Sequence, residues 1–177
     1  MEKEPSAVRA ATVTVIGLTR LALTAACPTI RPPTMPIVLP AEQQQLTAGS
    51  PDHLARYGFM TAAPVRIADP AKGAGFNFRN LYTIVELKLK MAASSSLEEV
   101  PVKQIRITSA ATDLAIVRGT TDLIAVERRI DIIEGGKSVT MTFGQTASLA
   151  KSERSFYFVV APGNHPDGDI TLEVTAI

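Results

Sequence analysis

The closing stretch of the chain, SFYFVVAPGNHPDGDITLEVTAI at residues 155–177, decides the fold class. Phe156, Phe158 and Val160 alternate with their neighbours, a turn-rich segment follows, and a second alternating run, DITLEVTAI, occupies residues 169–177. Apolar residues at every second position predict β-strands that each bury one face. Because only the short GNHPDG segment separates these two runs, we expect them to pair as a hairpin.

The same alternation recurs toward the amino terminus, at residues 84–91, 102–110 and 113–121. Another hairpin is predicted around Gly135–Gly136, between AVERRIDII and KSVTMTFG, and TASLAKSER at residues 146–154 is expected to be a loop. In total about seven or eight strands follow one another at roughly ten-residue spacing without a long helix. This pattern predicts an all-β, antiparallel β-sandwich.

Seven apolar residues of the alternating runs are expected to line the core between the two sheets. They are Val85, Leu87, Leu89, Phe156, Phe158, Leu172 and Val174. Burial of each such side chain contributes about 1.5–3 kcal/mol, and Phe158→Ala is expected to cost about 3–5 kcal/mol.

Residues 1–35 are expected to form an irregular amino-terminal segment, and residues 36–177 the sandwich domain. ATVTVIGLTRLALTAAC at residues 11–27 is apolar, but Arg20 interrupts it, which argues against a secretory signal or a membrane span. We interpret TVTVIGLTRLAL as a strand, a short helix or a poorly ordered end. LTAAC resembles a lipobox shifted by one position, so lipidation of Cys27 stays open.

Composition indicates a globular protein that does not bind nucleic acid. Hydrophobic residues make up 46% of the chain, charged residues 20%, and the formal net charge is +1 with no basic stripe. No phosphate loop, nucleophile motif or metal-ligand spacing is recognisable, so we predict no catalytic, cofactor-binding or metal residues and no enzyme activity. The one tight cluster of acidic residues and histidine is His165, Asp167 and Asp169, whose residue types turn chemistry already explains; a weak Ca²⁺ or carbohydrate contact there stays open.

Three stretches together resemble the fimbrillin family, the pilus subunits and related surface proteins of anaerobic Gram-negative bacteria. They are TAGSPDHLARYGFMTAAPVRI, FNFRNLYTIVELKLK and FYFVVAPGNHPDGDITLEVTAI, and the resemblance spans Pro36 to Ile177. It implies a transthyretin-like β-sandwich, export as a lipoprotein, and polymerisation by donation of a strand to the next subunit. The family's signal peptide and second domain are not recognisable here, so we expect this chain to be a fragment, to have a misplaced start, or to be a diverged short form.

The resemblance therefore implies a structural or adhesive protein of the cell surface and outer membrane, a pilus (fimbrium) subunit or accessory subunit. Its partners would be other pilus subunits, joined by β-strand addition. The alternative is a monomeric surface β-sandwich that binds a glycan or a host protein through its loops. No cofactor and no nucleic acid is expected in either case.

Overall fold

The computed structural model describes the backbone of most of the chain. The described residues are 12–16, 20–24, 34–47, 49–62, 65–66, 75–122 and 129–177. Cys27 lies outside them.

Strands dominate the described residues, and one helical turn, α1, spans Leu54–Tyr57. In chain order the strands are β1 Thr12–Ile16, β2 Arg20–Thr24, β3 Thr34–Leu39, β4 Glu42–Gln45, β5 Met60–Ala62, β6 Val65–Arg66, β7 Phe78–Asn80, β8 Thr83–Leu89, β9 Glu99–Ser109, β10 Ala115–Asp122, β11 Ile130–Gly136, β12 Ser138–Ala150, β13 Arg154–Val160 and β14 Ile170–Ala176. The all-β prediction is confirmed. The expected seven or eight strands were too few, because several strands are only two to five residues long.

The strands form four sheets, and two of them make the sandwich that concerns function. One sheet has the order β14-β9-β12-β4, and the sheet that faces it is the pair β13-β8. A third sheet, β11-β10-β3, covers the other face of β13, and the fourth is built from β1, β2, β5, β6 and β7. Pairing is antiparallel except between β12 and β4, which run parallel.

Two hydrophobic cores lie on opposite faces of β13. Phe156, Phe158 and Val160 point into the first core, where they meet Ile105 and Met141 from the facing sheet, and Val85, Leu87 and Leu89 pack against this cluster. Val159 points the other way, into a second core with Ile37, Leu39 and Ile116 from the third sheet. Both faces of β13 are therefore buried, and residues at alternating positions of this strand pack into two different cores.

Both predicted hairpins are wrong. β14 pairs with β9 and β13 pairs with β8, so the GNHPDG segment carries the chain from one sheet to the other. β11 pairs with β10, while β12 pairs with β9 and β4. Gly135 marks a close approach to Asp113 and not a turn, because an added Cβ would collide with that side chain.

Two further expectations are corrected. TASLAKSER is not all loop, because Ala147–Ala150 belong to β12. They pair with Val102–Glu99 of β9, after a register shift between Thr142 and Ala147. Residues 1–35 are not all irregular either, since β1 and β2 form a hairpin with TVTVI and RLALT as its arms. This hairpin extends the sheet through contacts of β1 with β5 and β6.

The predicted core is confirmed at its centre and wrong at one edge. Phe156 and Phe158 are 2% and 0% exposed, and Val85, Leu87 and Leu89 are partly buried against the same cluster. Leu172 and Val174, in contrast, are 40% and 37% exposed. They lie on the face of β14 that turns toward the first core, but no described strand lies beside β14 to cover them.

Candidate functional site

The candidate site is an apolar groove between the outer edges of β8 and β14. Its walls are Val85 and Leu87 on one side and Ile170 and Leu172 on the other. Ile107, Leu114 and Val160 form the floor, all nearly inaccessible to solvent. The groove has a volume of about 160 Å³. It opens directly into the first core, so the sandwich is incompletely covered along this side.

β14 contributes a free edge whose exposed side chains are apolar. The backbone N–H of Ser109 donates to the Lys137 carbonyl, so the backbone groups of Ser109 face the β12 side of β9. Because successive residues of a strand direct their backbone groups to opposite sides, those of Thr108 face β14. Ile170, Leu172 and Val174 consequently turn their backbone N–H and C=O groups outward, away from β9. These same residues are 45%, 40% and 37% exposed, so unpaired backbone and uncovered apolar surface coincide on this strand.

β8 contributes the second free edge. In its partner β13, the backbone carbonyls of Tyr157 and Val159 accept hydrogen bonds from side chains on the side remote from β8. The backbone groups of these two residues therefore do not face β8. By antiparallel alternation, Ile84 and Glu86, opposite Val159 and Tyr157, have their backbone groups directed to the outer edge. No described strand pairs with the outer edge of either β8 or β14.

The opposite side of the sandwich is closed by two side chains. Gln43 of β4 donates from Nε2 to the Val159 carbonyl at 2.6 Å and accepts the Val159 N–H at 3.0 Å, as a neighbouring strand would. His53 bonds through Nε2 to the Tyr157 carbonyl at 2.9 Å. Both side chains are buried, so the outer edge of β13 is protected from strand pairing, whereas β8 and β14 are not.

A polar network closes one end of the groove. The Asp169 carboxylate accepts hydrogen bonds from Ser109 Oγ at 2.6 Å, the Ala111 N–H at 2.6 Å and His165 Nδ1 at 2.9 Å. The hydrogen bonds from Ser109 and then His165 lower the pKa of Asp169 to about 2. His165 also lines the groove, beside Gly163.

This network orients a histidine and does not form a nucleophile–base pair. Ser109 Oγ and His165 Nδ1 both donate to the same oxygen of Asp169, so no base accepts the Ser109 proton other than that ionised carboxylate. The sequence cluster is thus split: His165 and Asp169 meet, and Asp167 lies in the adjacent turn. No group of three or more His, Cys, Asp or Glu side chains in the described ranges is placed to hold a metal ion.

Ser109 and Gln43 make long-range hydrogen bonds that the sequence did not reveal. Ser109 ends a strand 60 residues before Asp169, and Gln43 lies 116 residues before Val159. Gln43 sits in the polar run EQQQ, where buried and exposed glutamines look alike. The exposure of Leu172 was also hidden, because alternation shows which face a residue occupies and not whether a neighbour covers it.

Comparison with known proteins identifies no relative of this chain. No family model matches it, no curated protein is significantly similar to it, and no solved structure matches its fold. In the described part of the chain, no helix is long and apolar enough to cross a membrane. The groove itself is therefore the basis for a functional conclusion.

Proposed function

We propose that this protein is a strand-accepting structural subunit of a surface fibre, of the fimbrillin kind that its sequence resembles. The groove between β8 and β14 would receive a β-strand from a neighbouring molecule. One observation carries the proposal: two free strand edges flank an apolar groove that opens into the core. Addition of a strand there would pair the free backbone groups and cover the exposed side chains in one step.

The energetic gain is concentrated on β14. Ile170, Leu172 and Val174 retain about 40% of their surface in solvent. Complete burial of such side chains contributes about 1.5–3 kcal/mol each, so covering the remainder contributes about 2–4 kcal/mol in total. Backbone hydrogen bonds to β8 or β14 add to this, each about 0.5–1.5 kcal/mol net.

The closed side of the sandwich gives the addition a direction. Gln43 and His53 already occupy the backbone groups at the outer edge of β13. An incoming strand is therefore directed to the β8 and β14 side. An accepting groove on one side of this sandwich fits a head-to-tail assembly, in which each molecule accepts one strand at the groove and donates another elsewhere.

Neighbouring residues of β14 supply a matched test. Leu172→Glu places a charge on the groove wall, whereas Thr171→Glu places the same charge on the opposite face of the strand. We expect the wild type and Thr171→Glu to form fibres or detergent-resistant ladders in cells that express the full-length protein, and Leu172→Glu to form neither. Electron microscopy and unheated gel electrophoresis would report the assembly.

Two results would count against the proposal. Fibres that persist in Leu172→Glu would show that assembly does not use the groove. A wild-type protein that stays monomeric and is retained on glycan or host-protein arrays would favour the loop-binding alternative. Surface placement follows only from the resemblance, and antibody labelling of intact cells tests it separately.

A further inference from the structure

The groove has chemically distinct ends, and His165 occupies one of them. Thr83, Gly163, His165 and Ile170 lie together where β8 and β14 both begin. The segment from Gly163 to Asp169 crosses between the sheets at this point and closes the groove. At the other end the lining reaches Leu87 of β8 and Leu172 of β14, and both strands continue beyond these residues.

His165 is held in one orientation at this closed end. Its Nδ1 lies 2.9 Å from Asp169, whose carboxylate is ionised and accepts two further hydrogen bonds, from Ser109 and Ala111. Because an ionised carboxylate only accepts, Nδ1 must carry the proton. In the neutral imidazole the Nε2 atom then has a free lone pair, and no described protein group donates to it.

We infer that His165 selects the strand that enters the groove, by accepting a hydrogen bond from a donor group at the strand position that reaches the closed end. This inference rests on the proposed function of strand acceptance. The chemistry points to a hydroxyl or an ammonium group at that position, on a strand that is otherwise apolar on its inward face. A carboxylate there is disfavoured, since it would face a lone pair with the ionised Asp169 behind it.

The groove lining spans five residues of β8, from Thr83 to Leu87, and three of β14, from Ile170 to Leu172. Five residues of a strand correspond to about 17 Å. The probes are therefore peptides of nine residues in which valine and threonine alternate, with acetylated and amidated ends. Two further arginines are appended for solubility at the end remote from the variable position. One inward-facing terminal position carries serine, lysine, alanine or aspartate. Two series place this residue at the amino or the carboxyl end, so that the outcome is independent of strand direction.

We expect the serine and lysine peptides of one series to bind the full-length protein about 3- to 10-fold more tightly than the alanine peptide, the range of one net hydrogen bond. The aspartate peptide should bind more weakly than alanine. In His165→Phe the alanine peptide should keep its affinity, which also shows that the variant is folded, and the preference for donors should disappear. Isothermal titration calorimetry at pH 8 measures all four affinities.

Equal affinities of the serine and alanine peptides for the wild type would overturn the inference and leave strand acceptance intact. A donor preference that persists in His165→Phe would also overturn it. If no peptide binds, or if Leu172→Glu binds the alanine peptide as well as the wild type does, strand acceptance at the groove fails as well. The wild-type peptide series alone decides the inference should His165→Phe not fold.

Discussion

Gln43 and Gln45 permit a sharp test of how side chains close one edge of the sandwich. Both lie on β4, two residues apart and on the same face, and they are 1% and 0% exposed. Their hydrogen bonding differs completely. Gln43 pairs with both backbone groups of Val159, whereas Gln45 makes one 3.2 Å bond to the Thr47 carbonyl and leaves its Oε1 buried without a described partner.

The same substitution should therefore have opposite consequences at the two positions. Gln43→Met keeps a similar volume but leaves the N–H and C=O of Val159 buried and unpaired, at about 1–3 kcal/mol each, so we expect a loss of about 2–5 kcal/mol. Gln45→Met loses one bond worth about 0.5–1.5 kcal/mol and removes an unpaired polar atom of about 1–3 kcal/mol. Its net effect should lie between zero and a stabilisation of about 1–2 kcal/mol.

Urea unfolding monitored by circular dichroism measures both effects, provided that the slope of the transition stays constant. Gln44→Met is the control, because Gln44 is exposed on the same strand and should change stability by less than about 0.5 kcal/mol. Equal losses at positions 43 and 45 would refute the reasoning. They would mean that burial of the glutamine chain, and not its pairing with Val159, maintains the closed edge.

Three further predictions concern the core and the polar network. Phe158→Ala should cost about 3–5 kcal/mol in the same assay, because Phe158 is fully buried, and a change near zero would remove it from the core. The pKa of Asp169 is lowered to about 2, so its contribution to stability is complete above about pH 4 and is lost as the pH falls toward 2. Asp169→Asn should therefore flatten the stability profile in this range. Gly163→Ala forces a Cβ against the Thr112 methyl group and should cost about 1–3 kcal/mol, most of which Thr112→Ser should restore; an equal cost in both backgrounds would contradict this contact.

Sequence alternation predicted the longer central strands but not their partners. Phe156 and Phe158 lie on the predicted inward faces because period two is a local property of the backbone. Pairing is a global property. Gly135–Gly136 and GNHPDG look like hairpin turns, yet in both cases the chain leaves its sheet, because the available neighbour for each strand is more distant in sequence.

The candidate site was less predictable than the fold. TASLAKSER was expected to be a loop, yet pairing with β9 makes Ala147–Ala150 part of a strand. The residue types at His165 and Asp169 were explained by the turn that contains them, so nothing in the sequence indicated that they lie beside a groove. The groove lies where no described strand neighbours β14, and the sequence of β14 carries no pattern that would reveal this.

The bond between Gln43 and Val159 also has a consequence for the newly made chain. Its partners are 116 residues apart, so at about 5–20 residues per second the ribosome needs about 6–23 s to supply Val159 after Gln43 has been added. During this interval the Gln43 side chain has no backbone to pair with, and Ile37 and Leu39 lack Val159, their partner in the second core. The nascent chain is therefore exposed to aggregation for many seconds, and we expect it to depend on a chaperone that holds it unfolded until synthesis is nearly complete.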